Sequence, residues 1–283
     1  MSAGEPDEAM LIDLETVAVE LARLGGAEIR ATMGTLLSVS YKPVSSGSLG
    51  QNSAMLKDPV SEVDRRVEKL IRLRLAEAFP RHDIIGEEMD ERPGRGHEWV
   101  WAVDPIDGTA NFVNGFPMFA SSVGVLFRGR PVVGAVWCSA SHALAPGVYH
   151  ARCGGPLRFE GTELHRTENP AVRRGLAGTP DGATGDGPWD ARKTGSAAIE
   201  CAFVAAGLLQ VSLFATPNIW DVAGGIALVE AAGGTVWQRS AQGWTETARL
   251  ANQDADPGDW RGPLIVGETS AAEELIRQLG SSG

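Results

Sequence analysis

The chain has 283 residues, 43% of them hydrophobic and 22% charged, and its formal net charge at pH 7 is −11. This composition is typical of a folded globular protein and excludes extensive disorder, while the acidic balance argues against sequence-independent binding to nucleic acid, which depends on Lys and Arg. The three cysteines are widely spaced and form no C-x-x-C pair, which argues against a zinc site or a disulfide scaffold.

Signals for export and for membrane insertion are missing from this sequence. The first ten residues, MSAGEPDEAM, are acidic rather than basic, and no run approaches the roughly 18 apolar residues that span a bilayer. We therefore expect a cytoplasmic protein without a membrane segment.

Two amphipathic helices are predicted in the first eighty residues. Leucine and valine recur at steps of three and four from Leu11 to Leu24, and a second pattern of this kind runs from Ser61 to Phe79, with Pro80 beyond its end. A Ser/Gly-rich loop over residues 43–50 separates the two helices.

Short apolar runs that are typical of strands follow, at residues 83–85, 99–103, 121–127 and 132–137, the last two forming a predicted hairpin. Helices rich in small residues are predicted over 196–209 and 222–232, the second ended by Gly233-Gly234, and then a strand over 263–267 and a helix over 271–279. This order of elements predicts an α/β protein of layered sheets and helices.

Four acidic stretches lie next to these elements, at residues 58–64, 86–88, 104–109 and 220–225. Three of them follow or interrupt apolar runs, where a carboxylate costs free energy unless it is paired or holds a metal. Magnesium is a hard cation that takes oxygen ligands from carboxylates, water and substrate phosphate. The stretches together therefore indicate a magnesium site.

The stretch DPIDGT at residues 104–109 is the centre of this predicted site. Its rigid proline lets the chain turn where the strand ends at residue 103, so that both carboxylates and the carbonyl of Ile106 could face one point, with one carboxylate between two ions. Gly108 gives the backbone freedom for a close approach, and Thr109 offers a hydroxyl and an N–H to the same place.

Asp221 precedes the helix predicted over 222–232, where the helix dipole favours a negative charge, so we expect it to be both N-cap and metal ligand.

Each acidic stretch alone has an ordinary explanation as a turn pair, a helix cap or solvated charge, and their joint occurrence favours the metal. An EF-hand calcium loop is excluded, because counting from Asp104 puts Ile106 and Gly115 at positions that need acidic residues.

These motifs resemble those of the inositol monophosphatase superfamily, the magnesium-dependent, lithium-sensitive phosphatases. Residues 101–112, WAVDPIDGTANF, match the first family signature, and residues 220–225, WDVAGG, match the second. The Gly-Glu-Glu at 86–88 and the D-x-V-S-x-x-D stretch at 58–64 stand in the family's order. The resemblance implies a layered αβαβα sandwich.

The resemblance covers residues 10–280 and implies one domain there, with flexible termini at 1–9 and 281–283. It also implies that the protein is a homodimer. The expected partner is a small phosphate monoester, with neither nucleic acid nor membrane as a partner.

Metal-binding roles follow from the resemblance residue by residue. Glu87, Asp104 and the Ile106 carbonyl are implied to hold a first Mg²⁺, and Asp104, Asp107 and Asp221 a second. Glu87 also borders a weaker third position, which gives two or three Mg²⁺ per site.

Catalytic and substrate-binding roles are implied in the same way. Asp64 and Thr109 correspond to the pair that orients and deprotonates the attacking water, and the backbone N–H groups of Gly108 and Thr109 to those that hold the phosphate. The stretch RKTGSAA at 192–198 resembles the family's stretch on the substrate side. The implied substrate-side residues are Gly108, Thr109, Arg192, Gly195, Ser196 and Asp221.

The activity so implied is hydrolysis of an inositol, sugar or histidinol phosphate, or of a nucleotide 3′-phosphate, by metal-activated water. The alternative is a regulatory family member that acts mainly by binding a protein or RNA partner and keeps a vestigial or secondary phosphatase site. Of these two, the acidic charge and the complete set of ligands favour the enzyme.

Two departures from the family pattern bear on the substrate. Members that handle inositol carry a Glu seven residues before the aspartate of the second signature, where this chain has Phe214. The carboxylate that would bind an inositol hydroxyl is therefore missing. Three surroundings are open for the Phe214 ring: a nucleotide base, a flatter leaving group or the core. The loop over 45–56 is also longer than is usual in the family.

The five histidines lie outside all of these motifs, so surface or turn positions are predicted for them. They are His82, His97, His142, His150 and His165.

Overall fold

A computed structural model describes residues 6–33, 39–41, 59–93, 95–166, 171–172, 174–180, 187–251 and 255–281. The predicted long loop over 45–56 and Asp58 lie outside the described residues. Among the helices that are described, none is both long and apolar enough to cross a bilayer.

The helices are α1 (Glu8–Thr32), α2 (Glu62–Ala78), α3 (Thr109–Val113), α4 (Ala197–Ala205), α5 (Ile219–Ala231) and α6 (Thr269–Ser281). The strands are β1 (Val39–Tyr41), β2 (Pro59–Ser61), β3 (Asp83–Gly86), β4 (Trp99–Asp107), β5 (Ala120–Phe127), β6 (Arg130–Cys138), β7 (Gly147–Arg152), β8 (Arg158–Phe159), β9 (Thr162–Glu163), β10 (Gly175–Gly178), β11 (Trp189–Arg192), β12 (Val211–Phe214), β13 (Thr235–Ser240), β14 (Gly243–Glu246) and β15 (Leu264–Gly267).

Two large sheets alternate with layers of helices. The first sheet has the order β3-β4-β5-β6-β7-β8-β9, and only its pair β3–β4 is parallel. The second has the order β11-β10-β12-β15-β13-β14. Helices α1 and α2 cover the outer face of the first sheet, α4 and α5 fill the space between the sheets, and α6 packs on the second sheet. This arrangement confirms the predicted αβαβα layers.

Helix α1 is longer than its leucine pattern predicts at both ends. It begins at Glu8, inside the segment predicted to be a flexible terminus, and it continues through Gly25 and Gly26 to Thr32. A Cβ at Gly25 would lie 2.2 Å from the Ser121 hydroxyl, and one at Gly26 would lie 2.4 Å from the Trp137 ring. Close packing on the first sheet therefore outweighs the low helix propensity of glycine.

Helix α4 is shorter than the predicted range of 196–209. It ends at Ala205, and Gly207 follows with a positive φ of 78°. The end of α6 differs in the other direction, because its last helical residue is Ser281, inside the predicted flexible terminus.

An aromatic cluster encloses His82 in the turn between α2 and β3. Its ring stacks on Phe79 and Trp99 at centroid distances of 4.8 and 5.7 Å, and the indole N–H of Trp101 donates to its Nδ1 at 3.1 Å. Burial, with the nearby charges of His97 and Arg81, lowers the pKa of His82 to about 4. The imidazole is therefore a neutral acceptor at pH 7, in the turn position that was predicted.

This cluster is expected to make the protein less stable as the pH falls from 6.5 towards 4. The unfolded His82 takes up a proton near its ordinary pKa of 6.5, whereas the folded side chain takes one up only near 4. A His82→Gln variant keeps an acceptor for Trp101 but does not titrate. Between pH 7.5 and 4.5 the free energy of unfolding should fall by about 1 kcal/mol more in the unchanged protein than in the variant, which equals roughly 2–4 °C in Tm. This figure allows for solvent screening of the partly exposed ring. Equal losses in both proteins would contradict this assignment.

Candidate active site

Carboxylates from three parts of the chain meet in a cavity of about 250 Å³ beside the end of β4. The cavity holds all five of the predicted metal ligands and four of the six predicted substrate-side residues, with Asp221 in both sets. Its lining residues are Glu87, Asp104, Ile106, Asp107, Gly108, Thr109, Ala110, Gly195, Asn218 and Asp221. None of these residues is basic, so the described part of the lining carries no positive charge against the carboxylates.

A bulge in β4 brings Asp104 and Asp107 to the same cavity. The predicted turn after residue 103 is wrong, because the strand continues to Asp107 and its register shifts between the two aspartates. Asp104 lies opposite Ser122 and Asp107 opposite Ala120, so three steps along β4 match two along β5. Side chains three residues apart point to opposite faces of a regular strand. The extra residue restores a common direction.

Asp104 is the most deeply buried carboxylate of the cavity, with an exposure of 1%. Its Oδ1 atom is buried and has no hydrogen-bond partner among the residues that the structure describes. Burial, together with the charges of Glu87, Asp107 and Asp221, raises its pKa well above the ordinary value. A carboxylate in this position requires a positive charge or a proton.

Asp107 is held by the start of α4. Its Oδ2 accepts hydrogen bonds from the Ser196 hydroxyl at 2.5 Å and from the Ala198 N–H at 2.6 Å. Burial raises the pKa of Asp107 to about 6, although these hydrogen bonds act in the opposite direction. The Ser196 hydroxyl also accepts from the Ile199 N–H and caps α4.

Two of the predicted substrate-side residues do not line the cavity. Ser196 is buried, and its hydroxyl is used for Asp107 and the helix cap. Arg192 is exposed, and its guanidinium donates to the carbonyl of Ala191. Of the 192–198 stretch, Gly195 alone is part of the lining.

Asp221 lies in the first turn of α5 rather than at its cap. The helix begins at Ile219, three residues before the predicted start, and Asn218 is the N-cap. The Oδ2 of Asp221 accepts from the Asn218 backbone N–H at 2.7 Å, as in a capping box. Burial and the charge of Asp107 raise the pKa of Asp221 to about 8.

The glycines of the second signature bring α5 close enough to place Asp221 beside β4. A Cβ at Gly124 would lie 2.6 Å from the Gly224 nitrogen, and one at Gly134 would lie 2.0 Å from the Gly224 oxygen. On the other side of the helix, a Cβ at Gly225 would lie 2.2 Å from that of Cys201 on α4. Backbone therefore packs against backbone, and a larger side chain at Gly224 would move Asp221 away.

Thr109 lines the cavity and contacts Asp64, which is not itself among the described lining residues. Asp64 is fully buried on α2, and the Thr109 hydroxyl lies 3.0 Å from its Oδ1 and 2.8 Å from the carbonyl of Ile106. Gly108 precedes Thr109 with a positive φ of 87°, which an L side chain rarely adopts. That conformation starts the short helix α3 directly after β4.

Two asparagines of the site were missed in the sequence. The Asn111 side chain donates to the carbonyls of Met118 and Thr194 at 2.6 and 2.8 Å, which ties α3 to the loop before α4. Asn218 lines the cavity and caps α5. The pattern N-x-x-D before an apolar run is a capping signal that predicts the helix start at residue 219.

Phe214 lies in the core between the two sheets, with an exposure of 7%. Of the three surroundings considered for its ring, the core is therefore the one observed. It is not among the residues that line the cavity.

A larger hollow of about 680 Å³ beside α1 has a different character. His150 is buried there in β7, so the predicted surface or turn position is wrong for this histidine, and its Nδ1 lies 2.7 Å from Glu15. Arg152 also binds Glu15, at 3.1 Å. Burial alone would raise the pKa of Glu15, but His150 and Arg152 hold it below its usual value. The cluster is paired internally and fixes α1 to the sheet.

The carboxylate cavity fits a hard divalent cation by its donor set. It offers carboxylate and carbonyl oxygens, an unpartnered buried Asp104 oxygen and three aspartates whose pKa is raised. In the described part of the chain, no group of three or more acidic, Cys or His side chains is already arranged to hold one metal ion. Hydrogen bonds to Ser196 and Asn218 hold two of the aspartates instead.

Comparison with known proteins finds relatives along nearly the whole chain. The model of the inositol monophosphatase family matches residues 10–279. The chloroplastic phosphatase IMPL1 of Arabidopsis thaliana is 30% identical over 236 residues, which are 77% of this chain but only 60% of the plant protein. Nus factor SuhB of Escherichia coli (strain K12) is 32% identical over 215 residues, 72% of this chain and 79% of that protein.

A solved structure also matches the fold. The IMPase of Thermotoga maritima superposes with a TM-score of 0.73 at 25% identity, over 95% of this chain and 97% of that chain. This likeness agrees with the αβαβα layers described above.

Proposed function

Because the chain belongs to the inositol monophosphatase family, we propose that it is a Mg²⁺-dependent hydrolase of a small phosphate monoester. The observation that carries the proposal is the cluster of Asp104, Asp107 and Asp221 in one cavity whose described lining residues include no basic side chain. Three raised carboxyl pKa values at one place are typical of a site that binds a cation.

The proposed ligands are those that the resemblance implies. Glu87, Asp104 and the Ile106 carbonyl would hold one Mg²⁺, Asp104, Asp107 and Asp221 another, and Glu87 would border a third. When bound, magnesium neutralises phosphate charge and lowers the pKa of a water molecule.

Thr109 and Asp64 are the proposed proton acceptors for the attacking water. The Thr109 hydroxyl can donate to Asp64 at 3.0 Å while its oxygen accepts a hydrogen bond from the water. Asp64 is fully buried, so its carboxylate is shielded from bulk solvent and stays oriented by this contact. The backbone N–H groups of Gly108 and Thr109 at the start of α3 would hold phosphate oxygens and keep the phosphorus in line with the water.

The proposed substrate class is a small sugar, inositol or histidinol phosphate. A cavity of about 250 Å³ suits a small ester. Phe214 stands where inositol-specific members have a carboxylate and is itself buried, so we expect inositol phosphate to be a poorer substrate than others of this class.

A phosphate-release screen tests the proposal. The purified protein should release phosphate from at least one ester of a metabolite panel in the presence of Mg²⁺, and chelation with EDTA should stop the release. Lithium should inhibit it, as the family resemblance implies. No release from any ester, with protein shown to be folded by circular dichroism, would contradict the proposal.

Magnesium is also expected to stabilise the fold. Binding to the native cavity relieves the repulsion among the carboxylates, and at about 100 times Kd it adds about 2.7 kcal/mol, or roughly 5–10 °C in Tm for a chain of this size. Thermal unfolding in MgCl₂ measures this rise, with NaCl at equal ionic strength as the control. The same Tm in both salts would contradict a magnesium site.

A second candidate function follows from one relative, which carries the name Nus factor SuhB. Under this alternative the protein acts by binding a macromolecular partner, and the expectation of no nucleic-acid partner would fail. Absence of Mg²⁺-dependent turnover across the panel, together with a partner that co-purifies at constant stoichiometry, would favour it.

The predicted homodimer stays a proposal that sedimentation equilibrium tests.

A further inference from the structure

Helix α2 carries three buried polar residues spaced four apart, Asp64, Glu68 and Arg72. This spacing puts them on one side of the helix, one above the other. Glu68 is 0% exposed and Arg72 is 8% exposed. Burial of charged groups at this depth costs considerable free energy unless they are paired. The partners of these three side chains therefore indicate their role.

Glu68 and Arg72 bind each other and the segment that follows Glu87. One Glu68 oxygen accepts from Arg72 Nε and the other from the backbone N–H of Glu88, both at 2.7 Å. The two terminal nitrogens of Arg72 donate to the carbonyls of Met89 and Glu91, also at 2.7 Å. The pair therefore fastens residues 88–91 at three backbone atoms, beginning one residue after the proposed metal ligand.

Gly86 explains why this contact is possible. A Cβ at this position would lie 2.2 Å from Glu68 Oε1 and 2.5 Å from its carboxyl carbon. The backbone of Gly86 has no positive φ, so the glycine is needed for the approach of Glu68 rather than for an unusual conformation. The Gly-Glu-Glu stretch thus places a side chain of α2 directly against the strand end that leads into Glu87.

The same helix also contacts the cavity lining at Thr109. Asp64 lies one turn before Glu68, about 6 Å along the helix axis, and accepts from the Thr109 hydroxyl. Helix α2 therefore supplies Asp64, which contacts Thr109, and it also contacts the segment that follows Glu87. The Glu68–Arg72 pair has no net charge, so it fixes this segment without adding to the negative charge of the cavity.

We propose that Glu68 and Arg72 are positioning residues that hold Glu87 at a fixed place relative to Asp64 and Thr109. The inference rests on the proposed function, because it gives Glu87 a role in binding Mg²⁺. Groups that orient metal ligands typically change metal affinity by about 10–100-fold when they are removed. Arg72 suits this task because its planar fork donates to three oxygens at once.

The test compares two double variants by their Mg²⁺ midpoint, the Mg²⁺ concentration that half-saturates the folded protein. This midpoint is obtained by fitting the logarithmic rise of Tm with Mg²⁺ concentration. Glu68→Leu/Arg72→Met replaces the buried pair with apolar side chains, a change that is often neutral for stability. Glu20→Leu/Arg74→Met removes the ion pair of 2.9 Å between α1 and α2, whose members are both substantially exposed. The first should need at least about 10 times more Mg²⁺ than the unchanged protein, and the second less than twice as much.

Gly86→Ala provides a second way to displace the Glu68 carboxylate. It should raise the Mg²⁺ midpoint in the same direction and would decide the question if the double variant did not fold. A lower Tm without Mg²⁺ and an unchanged Mg²⁺ midpoint in these variants would show a merely structural role and overturn the inference. If Mg²⁺ fails to stabilise the unchanged protein as well, the proposed function itself fails. Recovery of phosphate release at saturating Mg²⁺ would further support the positioning role, and an unchanged midpoint with lost release would contradict it.

Discussion

Replacement of Asp104 by asparagine is expected to abolish phosphate release and, at the same time, to raise the Tm of the metal-free protein. Asp104 is 1% exposed, one of its oxygens has no partner in the described part of the chain, and burial together with three neighbouring carboxylates raises its pKa. Its charge therefore destabilises the fold whenever no cation balances it. Loss of the same charge removes a ligand proposed for two Mg²⁺, and activity should fall by about 10²–10³-fold or more, the scale for one preorganised electrostatic group.

The opposite signs of the two effects distinguish a functional carboxylate from a structural one. Removal of a carboxylate that serves the core lowers both activity and stability, whereas a charge kept for a bound ion is costly without it. Steady-state phosphate release and thermal unfolding in EDTA measure the two effects. Asp13→Asn, on the exposed face of α1, is the matched control and should change neither. Activity within a few-fold of the unchanged protein would remove Asp104 from the proposed ligands.

The second large effect is expected at the water-holding pair. Thr109→Val removes the hydroxyl that lies 3.0 Å from Asp64, and Asp64→Asn leaves an acceptor that cannot take up a proton at neutral pH. Loss of a positioned general base typically costs about 10²–10⁴-fold in rate. Because neither residue is a proposed metal ligand, both variants should keep the rise in Tm that Mg²⁺ causes.

Thr109→Ser is the control for this pair, since it keeps the hydroxyl and should keep most of kcat. Rates are measured at saturating Mg²⁺ and substrate, so that changes in binding do not enter. If the valine and serine variants lose activity equally, the hydroxyl is not the group that matters at residue 109. Loss of the Mg²⁺ response in Asp64→Asn would instead move Asp64 into the metal site.

The carboxylates that line the site could be predicted from the sequence, because an acidic residue directly after an apolar run is costly unless it is paired or binds a metal. Glu87, Asp104, Asp107 and Asp221 lie far apart in the chain, and the structure brings all four to one cavity. Their individual roles stay predictions. The layers of the fold could also be predicted, since each apolar periodicity matches one face of a helix or sheet.

Features that depend on contacts between distant segments could not be predicted. The bulge at Asp104–Asp107 arises from pairing with β5, and the proline within it is equally compatible with a turn. Gly25 and Gly26 look like the end of α1, but their contacts with Ser121 and Trp137 keep the helix intact. The roles of Ser196 and Glu68 depend on where α4 and α2 dock, which local sequence does not reveal.

The central claim is that the carboxylate cavity uses Mg²⁺ to hydrolyse a phosphate monoester. It is tested most directly by phosphate release from the best ester of the panel, measured across a Mg²⁺ titration for the unchanged protein and for Asp104→Asn. The account predicts a saturable dependence on Mg²⁺ in the first and no release above background in the second. Release that is equal in the two proteins, or equal with Mg²⁺ and with EDTA, would contradict it.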